Sequence, residues 1–145
     1  MAAEDEVRQA SARFYAALNR GLNGDMSALG ATWAHGGDVT AMHPMGARVE
    51  GWEQVRSSFE QAGSLASGGQ VRLRDQLIRA GTDLAYEVGL EEGEATMAGE
   101  RIAFSGQRVT NVYRREGGEW KMVHHHTDPS PAMNDLVSRL QPPAR

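Results

Sequence analysis

Cysteine is absent from this chain of 145 residues. The absence excludes disulfide bonds, thiolate metal sites and a cysteine nucleophile, and it is typical of the reducing cytoplasm, where we expect the protein. Long apolar runs are also absent, since no stretch approaches the roughly 18 residues of a membrane-spanning helix. The first residues, MAAEDEVRQ, are acidic and polar and lack the basic and apolar segments of a signal peptide. We therefore expect no membrane partner.

Basic residues are few, with 15 Lys and Arg against 19 Asp and Glu, for a net charge of -4. Because nucleic-acid binding normally needs a clustered basic face, we expect no nucleic-acid partner. No glycine-rich phosphate loop follows a strand and no serine lies in a nucleophile elbow, so we expect no cofactor. The length suits one domain, and 40% hydrophobic residues are enough for a single core.

The first half of the chain has helical periodicity. Apolar residues at spacings of three and four predict a helix over residues 4–20. Asp25 caps a second short helix toward Trp33, and Gly51 opens a third that ends at Gly63, followed by a polar linker over residues 64–69. The residues of the two longer apolar stripes are Val7, Ala10, Phe14, Ala17 and Leu18, and then Trp52, Val55, Phe59 and Ala62.

The second half has strand periodicity. After an early strand at residues 38–43, whose Val39, Ala41 and His43 share a face, four adjoining strands run from Gln70 to about Thr127. Helices followed by strands predict an α+β domain with an antiparallel meander. The apolar strand positions are Val71, Leu73 and Leu77 on one face of the first, and Leu84, Tyr86, Val88 and Leu90 alternating through the second. A tail over residues 129–145 carries a short amphipathic helix with Met133, Leu136, Val137 and Leu140.

Three motifs resemble those of a known superfamily. They are Phe14-Tyr15-Ala16-Ala17-Leu18-Asn19 before Gly24-Asp25, His43-Pro44-Met45-Gly46 before Val49-Glu50-Gly51-Trp52, and the segment over residues 109–128. Together they resemble the nuclear transport factor 2-like superfamily, in its SnoaL-like and ketosteroid-isomerase-like branch. The last segment is similar to the association domain of calcium/calmodulin-dependent protein kinase II. The resemblance covers residues 4–128 and defines a domain over residues 1–128. It implies a cone in which a bent antiparallel sheet wraps three N-terminal helices around a pocket, and a homodimer through the outer sheet face.

The resemblance also implies a candidate base. In the ketosteroid isomerases an aspartate before a proline is the base, and His43 matches its position; a neutral imidazole accepts a proton at neutral pH. The tyrosine and the protonated acid of those enzymes fall on Phe14 and near Thr110. Both strong oxyanion donors are therefore missing, and steroid isomerisation is not expected. Tyr15, the next residue along the helix, is rotated about 100° away from the position of that tyrosine. A core histidine bonded to a backbone carbonyl is the alternative interpretation of His43.

The triple histidine is open to more than one interpretation. Strict alternation puts His124 and His126 on the face of Trp120 and Met122, with His125 on the opposite face. By analogy with the kinase association domain, His125 faces the cavity and joins His43 as a catalytic candidate, while a bulge would reverse the assignment. His124, His126 and Asp128 form three possible metal ligands, but their spacing is not a specific signature, so we predict no metal site.

Six further residues are predicted to lie at the pocket: Phe14, Tyr15, Trp33, Trp52, Arg108 and Asn111. The tryptophans also suit the core, and Arg108 also suits a solvated surface. One functional hypothesis is an isomerase, dehydratase or cyclase that uses a histidine base on a small apolar carbonyl compound. The other is a non-catalytic ligand-binding or oligomerisation domain.

Overall fold

The structure, a computed structural model, describes residues 2–128 and 131–141. Two long helices, a 3-10 turn and six strands precede a C-terminal helix. In chain order they are α1 (Ala3–Leu22), the 3-10 turn (Leu29–Thr32), β1 (Thr40–Met42), β2 (Val49–Glu50), α2 (Trp52–Leu65), β3 (Ala66–Ala80), β4 (Leu84–Met97), β5 (Glu100–Glu116), β6 (Glu119–Thr127) and α3 (Pro131–Leu140). None of the described helices is long and apolar enough to cross a membrane.

One six-stranded sheet has the order β2-β1-β6-β5-β4-β3. The predicted α+β class and the antiparallel meander of β3 to β6 are confirmed. The short β1 adds a feature that the sequence did not predict, because it pairs with β6 in parallel, with Ala41 opposite His125. This pairing brings the end of β1, and with it His43, beside the triple histidine.

The predicted linker over residues 64–69 is wrong. Helix α2 continues to Leu65 and β3 begins at Ala66, which pairs with Met97 of β4. The polar composition misled the prediction, because Gly68 and Gly69 stand in an irregular part of the strand with φ of 141° and 156°. A side chain at Gly69 would meet the backbone of β4 at 2.7 Å, so the close approach of the two strands requires glycine there.

Bulges change which residues face the interior. A register shift between Arg74 and Leu77 turns Leu77 outward, so the prediction that it shares a face with Val71 is wrong. In β4 the alternating apolar residues face outward, since Leu84 is 58% exposed and Tyr86 46% exposed. The opposite face of β4 is interior, and it carries two carboxylates, Glu87 and Glu91.

The core lies between the sheet and helices α1 and α2. Its largest buried side chains include Phe14 of α1 and Phe59 of α2, whose rings meet edge to face at 6.2 Å. A separate, smaller cluster lies where α3 packs on β4 and β5. Its buried members are Met133 and Leu136 of α3 and Ala95, Met97 and Ile102 of the sheet. The helix predicted in the tail is therefore present, and it covers that part of the sheet.

Candidate functional site

A cavity of about 110 Å³, partly open to solvent, lies beneath α3. Its wall is mainly apolar and includes three methionines, Met45, Met97 and Met133. Five polar residues interrupt that wall: His43, Glu91, Gln107, His125 and Thr127. They come from the end of β1 and from β4, β5 and β6, so only the folded sheet brings them together.

A bulge in β6 decides which histidine faces the cavity. Val112 pairs with His124, but the next residue of β5 pairs with Met122, so Val123 is the extra residue. Met122 and His125 are consequently both interior, at 0% and 3% exposed. The prediction that Met122 and Trp120 lie with His124 and His126 on the face opposite His125 is wrong, because the extra residue resets the alternation. His125 lies inside and its two neighbours lie outside.

A row of hydrogen bonds across three strands orients His125. Glu87, Asn111 and His125 are direct cross-strand neighbours on β4, β5 and β6. The Asn111 amide donates from Nδ2 to Glu87 Oε1 at 2.9 Å, which turns its Oδ1 toward His125 Nδ1 at 2.6 Å. Since an amide oxygen only accepts, His125 carries its proton on Nδ1 and keeps a lone pair on Nε2. Burial holds the pKa of His125 well below its usual range, so the ring is neutral.

Glu87 is buried and accepts three hydrogen bonds. Its carboxylate accepts hydrogen bonds from Gln76 at 2.6 Å and from Tyr113 at 2.9 Å, besides the bond from Asn111. Three donors satisfy a carboxylate in the interior, where an unpaired charge is costly. Glu87 therefore anchors the row and does not line the cavity.

His43 lines the same cavity from the end of β1. Its Nε2 lies 2.8 Å from the Ser58 hydroxyl, which itself donates to the Val55 carbonyl at 2.6 Å. Because the hydroxyl hydrogen of Ser58 is already donated to Val55, the Ser58 oxygen accepts from His43. The His43 proton is therefore on Nε2, and the lone pair is on Nδ1. The partner is thus a side chain and not the backbone carbonyl of the alternative interpretation. Burial lowers the pKa of His43 to about 4. The centres of the His43 and His125 rings are 6.2 Å apart.

Glu91 is a titratable residue of the cavity wall that the sequence did not predict. It is 4% exposed, and its carboxyl accepts from Tyr15 Oη at 2.8 Å and from Gln107 Nε2 at 3.2 Å. Burial raises the pKa of Glu91 to about 7. A charged residue in an alternating strand is normally read as solvent-facing. The available signal was its spacing of four from Glu87, which puts the two carboxylates on one face opposite the apolar set.

The other predicted pocket residues have different surroundings. Phe14 packs against His125 at 5.2 Å, between ring centres, and Tyr15 reaches the cavity through Glu91. The ring centres of Trp33 and Trp52 are 6.3 Å apart, and neither residue is among the described residues of the cavity wall. Arg108 is exposed and forms an ion pair with Asp128 on the surface. The structure therefore groups Phe14, Tyr15 and Asn111 around the two histidines, and it separates the tryptophans and Arg108 from them.

The three possible metal ligands at the end of β6, His124, His126 and Asp128, are not grouped as a metal site. His124 Nδ1 lies 2.7 Å from the Thr40 hydroxyl, and Asp128 is paired with Arg108. Within the described ranges no group of three or more His, Asp or Glu side chains is arranged to hold a metal ion.

The chain belongs to the SnoaL-like domain family, which it matches over residues 7–132. Solved structures agree with this assignment. A candidate dehydratase of the nuclear transport factor 2-like family from Streptomyces avermitilis is 26% identical, with a TM-score of 0.77 over 89% of this chain and 96% of that one. A candidate calcium/calmodulin-dependent protein kinase type II association domain from Thiobacillus denitrificans is also 26% identical, with a TM-score of 0.64 over 85% and 94%.

A nuclear transport factor 2-like superfamily protein from Salmonella enterica shares the fold at 17% identity, with a TM-score of 0.76 over 88% of this chain and 91% of that one. No curated protein sequence matches the chain. The resemblance to this superfamily is confirmed. Since the family includes domains of several functions, the fold alone supports only a ligand-binding or isomerase-type domain.

Proposed function

We propose that this domain binds a small, mainly apolar molecule in the cavity beneath α3 and performs acid–base chemistry on it, as an isomerase, dehydratase or cyclase. The observation that carries the proposal is the grouping of Glu91, His43 and His125 on one apolar cavity. Titratable groups with displaced pKa values in a concave apolar site are typical of catalytic centres. The similarity to a candidate dehydratase supports the same class of reaction.

His43 and His125 keep a role in this proposal as ligand contacts. Both rings are neutral at pH 7, so the lone pairs on His43 Nδ1 and His125 Nε2 accept hydrogen bonds from a ligand. A base with a pKa of about 4 takes a proton poorly at neutral pH, since the most effective catalytic pKa lies near the working pH. His43 is therefore a weaker base than its matched position in the family implies.

The alternative is a domain that binds a molecule without changing it, or that only oligomerises. The absence of the two family oxyanion donors at Phe14 and Thr110 favours it, as does the similarity to a candidate association domain. Methionine labelling separates a ligand-binding domain from one that only oligomerises, because only a binding domain requires a ligand in the cavity.

Methionine labelling tests the binding proposal directly. The chain has seven methionines, of which Met45, Met97 and Met133 line the cavity while Met26 and Met42 lie elsewhere. With ¹³C-methyl methionine, phenol and toluene are expected to shift the three cavity methyl signals and to leave those of Met26 and Met42 unchanged. The variant Ala62→Leu, which adds bulk to the wall, should reduce these shifts, and Ala12→Leu on the exposed side of α1 should not. Unchanged cavity signals with every probe would contradict the proposal.

We also propose that the outer face of the sheet forms a homodimer. The apolar or aromatic residues on that face include Leu77, Leu84, Tyr86 and Val112, with His124 and His126 beside them. A sheet face with several exposed large apolar side chains is typical of a protein interface, and a two-fold dimer buries the same patch on both copies.

Tyr86→Arg is expected to convert the dimer to a monomer, because it places two charges at the centre of the proposed interface. Sedimentation velocity measures the change. Leu140→Arg is the matched control, since Leu140 is 50% exposed on α3, away from the sheet face, and its replacement should leave the dimer intact. A wild-type protein that sediments as a monomer would refute this interface.

A further inference from the structure

We infer that the Glu91 carboxyl is the titrating ligand contact of this cavity, and that the ligand meets it with a hydroxyl group of an uncharged molecule. The inference rests on the proposed ligand cavity. It assigns to Glu91 the central role that the sequence assigned to His43, and it specifies the class of molecule that fits.

The position of Glu91 carries the first step. Tyr15 donates to Oε2 and Gln107 donates to Oε1, while the side chain lines the cavity from β4. The Tyr15 hydroxyl itself accepts from Asn111 Nδ2 at 3.3 Å, so it is held in the orientation that donates to Glu91. Two donors leave lone pairs of the carboxylate free for a third, because a carboxylate offers about four acceptor positions.

The polar atoms around the cavity are mainly acceptors. His125 Nε2 and His43 Nδ1 offer lone pairs, and Gln107 Oε1 is buried without a hydrogen-bond partner among the described residues. The Thr127 hydroxyl oxygen is also buried and has no hydrogen-bond partner among the described residues. A ligand that satisfies these groups must bring donors, and a hydroxyl group is the smallest that also accepts. A ligand with acceptors alone would leave the buried lone pairs unpaired.

The charge of the wall defines the ligand further. No Lys or Arg occurs among the described residues that line the cavity. An anionic ligand would therefore stand beside a carboxyl group without a compensating cation, in a site where an unpaired charge is costly. The size of the ligand is indicated as well, since the cavity of about 110 Å³ is of the same order as an apolar cavity of about 150 Å³ that accommodates benzene, and it is partly open, so one small aromatic ring is a suitable probe. The three methionines supply adaptable walls.

Among the titratable groups with displaced pKa values at this cavity, Glu91 is the one that changes its protonation near neutral pH. Tyr15 of α1 has its pKa raised by burial and stays protonated, while His43 after β1 and His125 of β6 have theirs lowered and stay neutral. Burial is the main cause that raises the pKa of Glu91; the hydrogen bonds from Tyr15 and Gln107 lower it in part, and the nearby Glu87 of the same strand raises it further. Below pH 7 Glu91 offers a proton to a ligand oxygen, and above pH 7 it accepts the stronger, charge-assisted bond from a ligand hydroxyl.

The test compares phenol, toluene and benzoate as probes, with binding followed through the Met133 methyl signal at pH 5.5 and pH 8.5. Phenol stays uncharged over this range, since such hydroxyls ionise near about pH 10. Its affinity should rise about tenfold at the higher pH in the wild type, because a bond to a carboxylate is stronger than one to a neutral acid. Toluene, which lacks the hydroxyl, should bind equally at both pH values, and benzoate should not bind at pH 8.5.

The variant Glu91→Gln should abolish the pH dependence of phenol binding, and His43→Phe should retain it. A pH dependence that persists in Glu91→Gln would overturn the inference and leave the proposed ligand cavity standing, as would benzoate binding at pH 8.5. Cavity methyl signals that respond to none of the three probes would overturn the proposed function and the inference together.

Discussion

Replacement of Asn111 by leucine is expected to destabilise the protein by about 3–5 kcal/mol, the usual cost of breaking a buried hydrogen-bonded charge network. Asn111 is 0% exposed and stands between Glu87 and His125, donating to one and accepting from the other. Leucine fills a similar volume but pairs with neither, so the carboxylate loses one of its three donors and His125 Nδ1 loses its acceptor.

Urea unfolding measures this loss as a lower transition midpoint at an unchanged slope. Thr110→Val is the matched control, because Thr110 is the neighbouring residue on the outer face, and changes there normally stay within about 0.5 kcal/mol. The ¹⁵N signals of His125 provide a second measurement, since the wild type should show a single tautomer with the proton on Nδ1 and the variant a mixture. A destabilisation below about 1 kcal/mol would mean that the hydrogen bonds of Asn111 to Glu87 and His125 do not stabilise the fold as a connected network.

Glu91→Gln is expected to stabilise the protein progressively as the pH rises from 4.5 to 8, relative to the wild type. The folded pKa of Glu91 is about 7, above the ordinary value of 4.5, so the folded state binds more protons than the unfolded state in this window. Its contribution to the free energy of unfolding therefore falls with rising pH, by about 3 kcal/mol over the window. Glutamine does not titrate, so the free energy of unfolding of the variant lacks this decrease with rising pH.

The histidines contribute with the opposite sign. The pKa of His43 is lowered from 6.5 to about 4 by burial, so the unfolded state binds the additional proton and stability falls as the pH drops from 6.5 to 4. In the wild type this loss partly offsets the effect of Glu91 between pH 4.5 and 6.5. In Glu91→Gln the loss from the buried histidines is no longer offset by Glu91, so the variant should show the steeper loss of stability in acid.

Urea midpoints measured across this pH range test both statements. Glu94→Gln is the control, because Glu94 lies on the same strand with its side chain exposed to water. Its stability curve should run parallel to that of the wild type. Parallel curves for Glu91→Gln and the wild type would contradict the proposed environment of Glu91.

The elements of this fold were largely predictable from local patterns. The stripe of Val7, Ala10 and Phe14 predicted α1, and the strand periodicity from Gln70 to about Thr127 predicted the meander of β3 to β6. The face shared by Val39, Ala41 and His43 was also predictable, since a strand without a bulge alternates strictly. These features depend on residues close together in the sequence, for which propensity and periodicity are informative.

The site was predictable only in part, because it depends on register. One extra residue at Val123 turns Met122 and His125 to the same side, and such an insertion leaves no mark on composition. Glu91 faces the interior because β4 presents its apolar residues outward, against the usual rule for charged side chains. The buried donors that make this tolerable, Tyr15 and Gln107, lie 76 and 16 residues away along the chain.

The sequence by itself determined the fold class, the helices and the meander, because apolar periodicity and turn residues act locally. Only the tertiary structure decided which titratable groups share the cavity, since β1 had to join β6 in parallel and three strands had to align Glu87, Asn111 and His125 in one row. Burial then sets the protonation of each group, and burial is a property of the packed chain rather than of any residue in it.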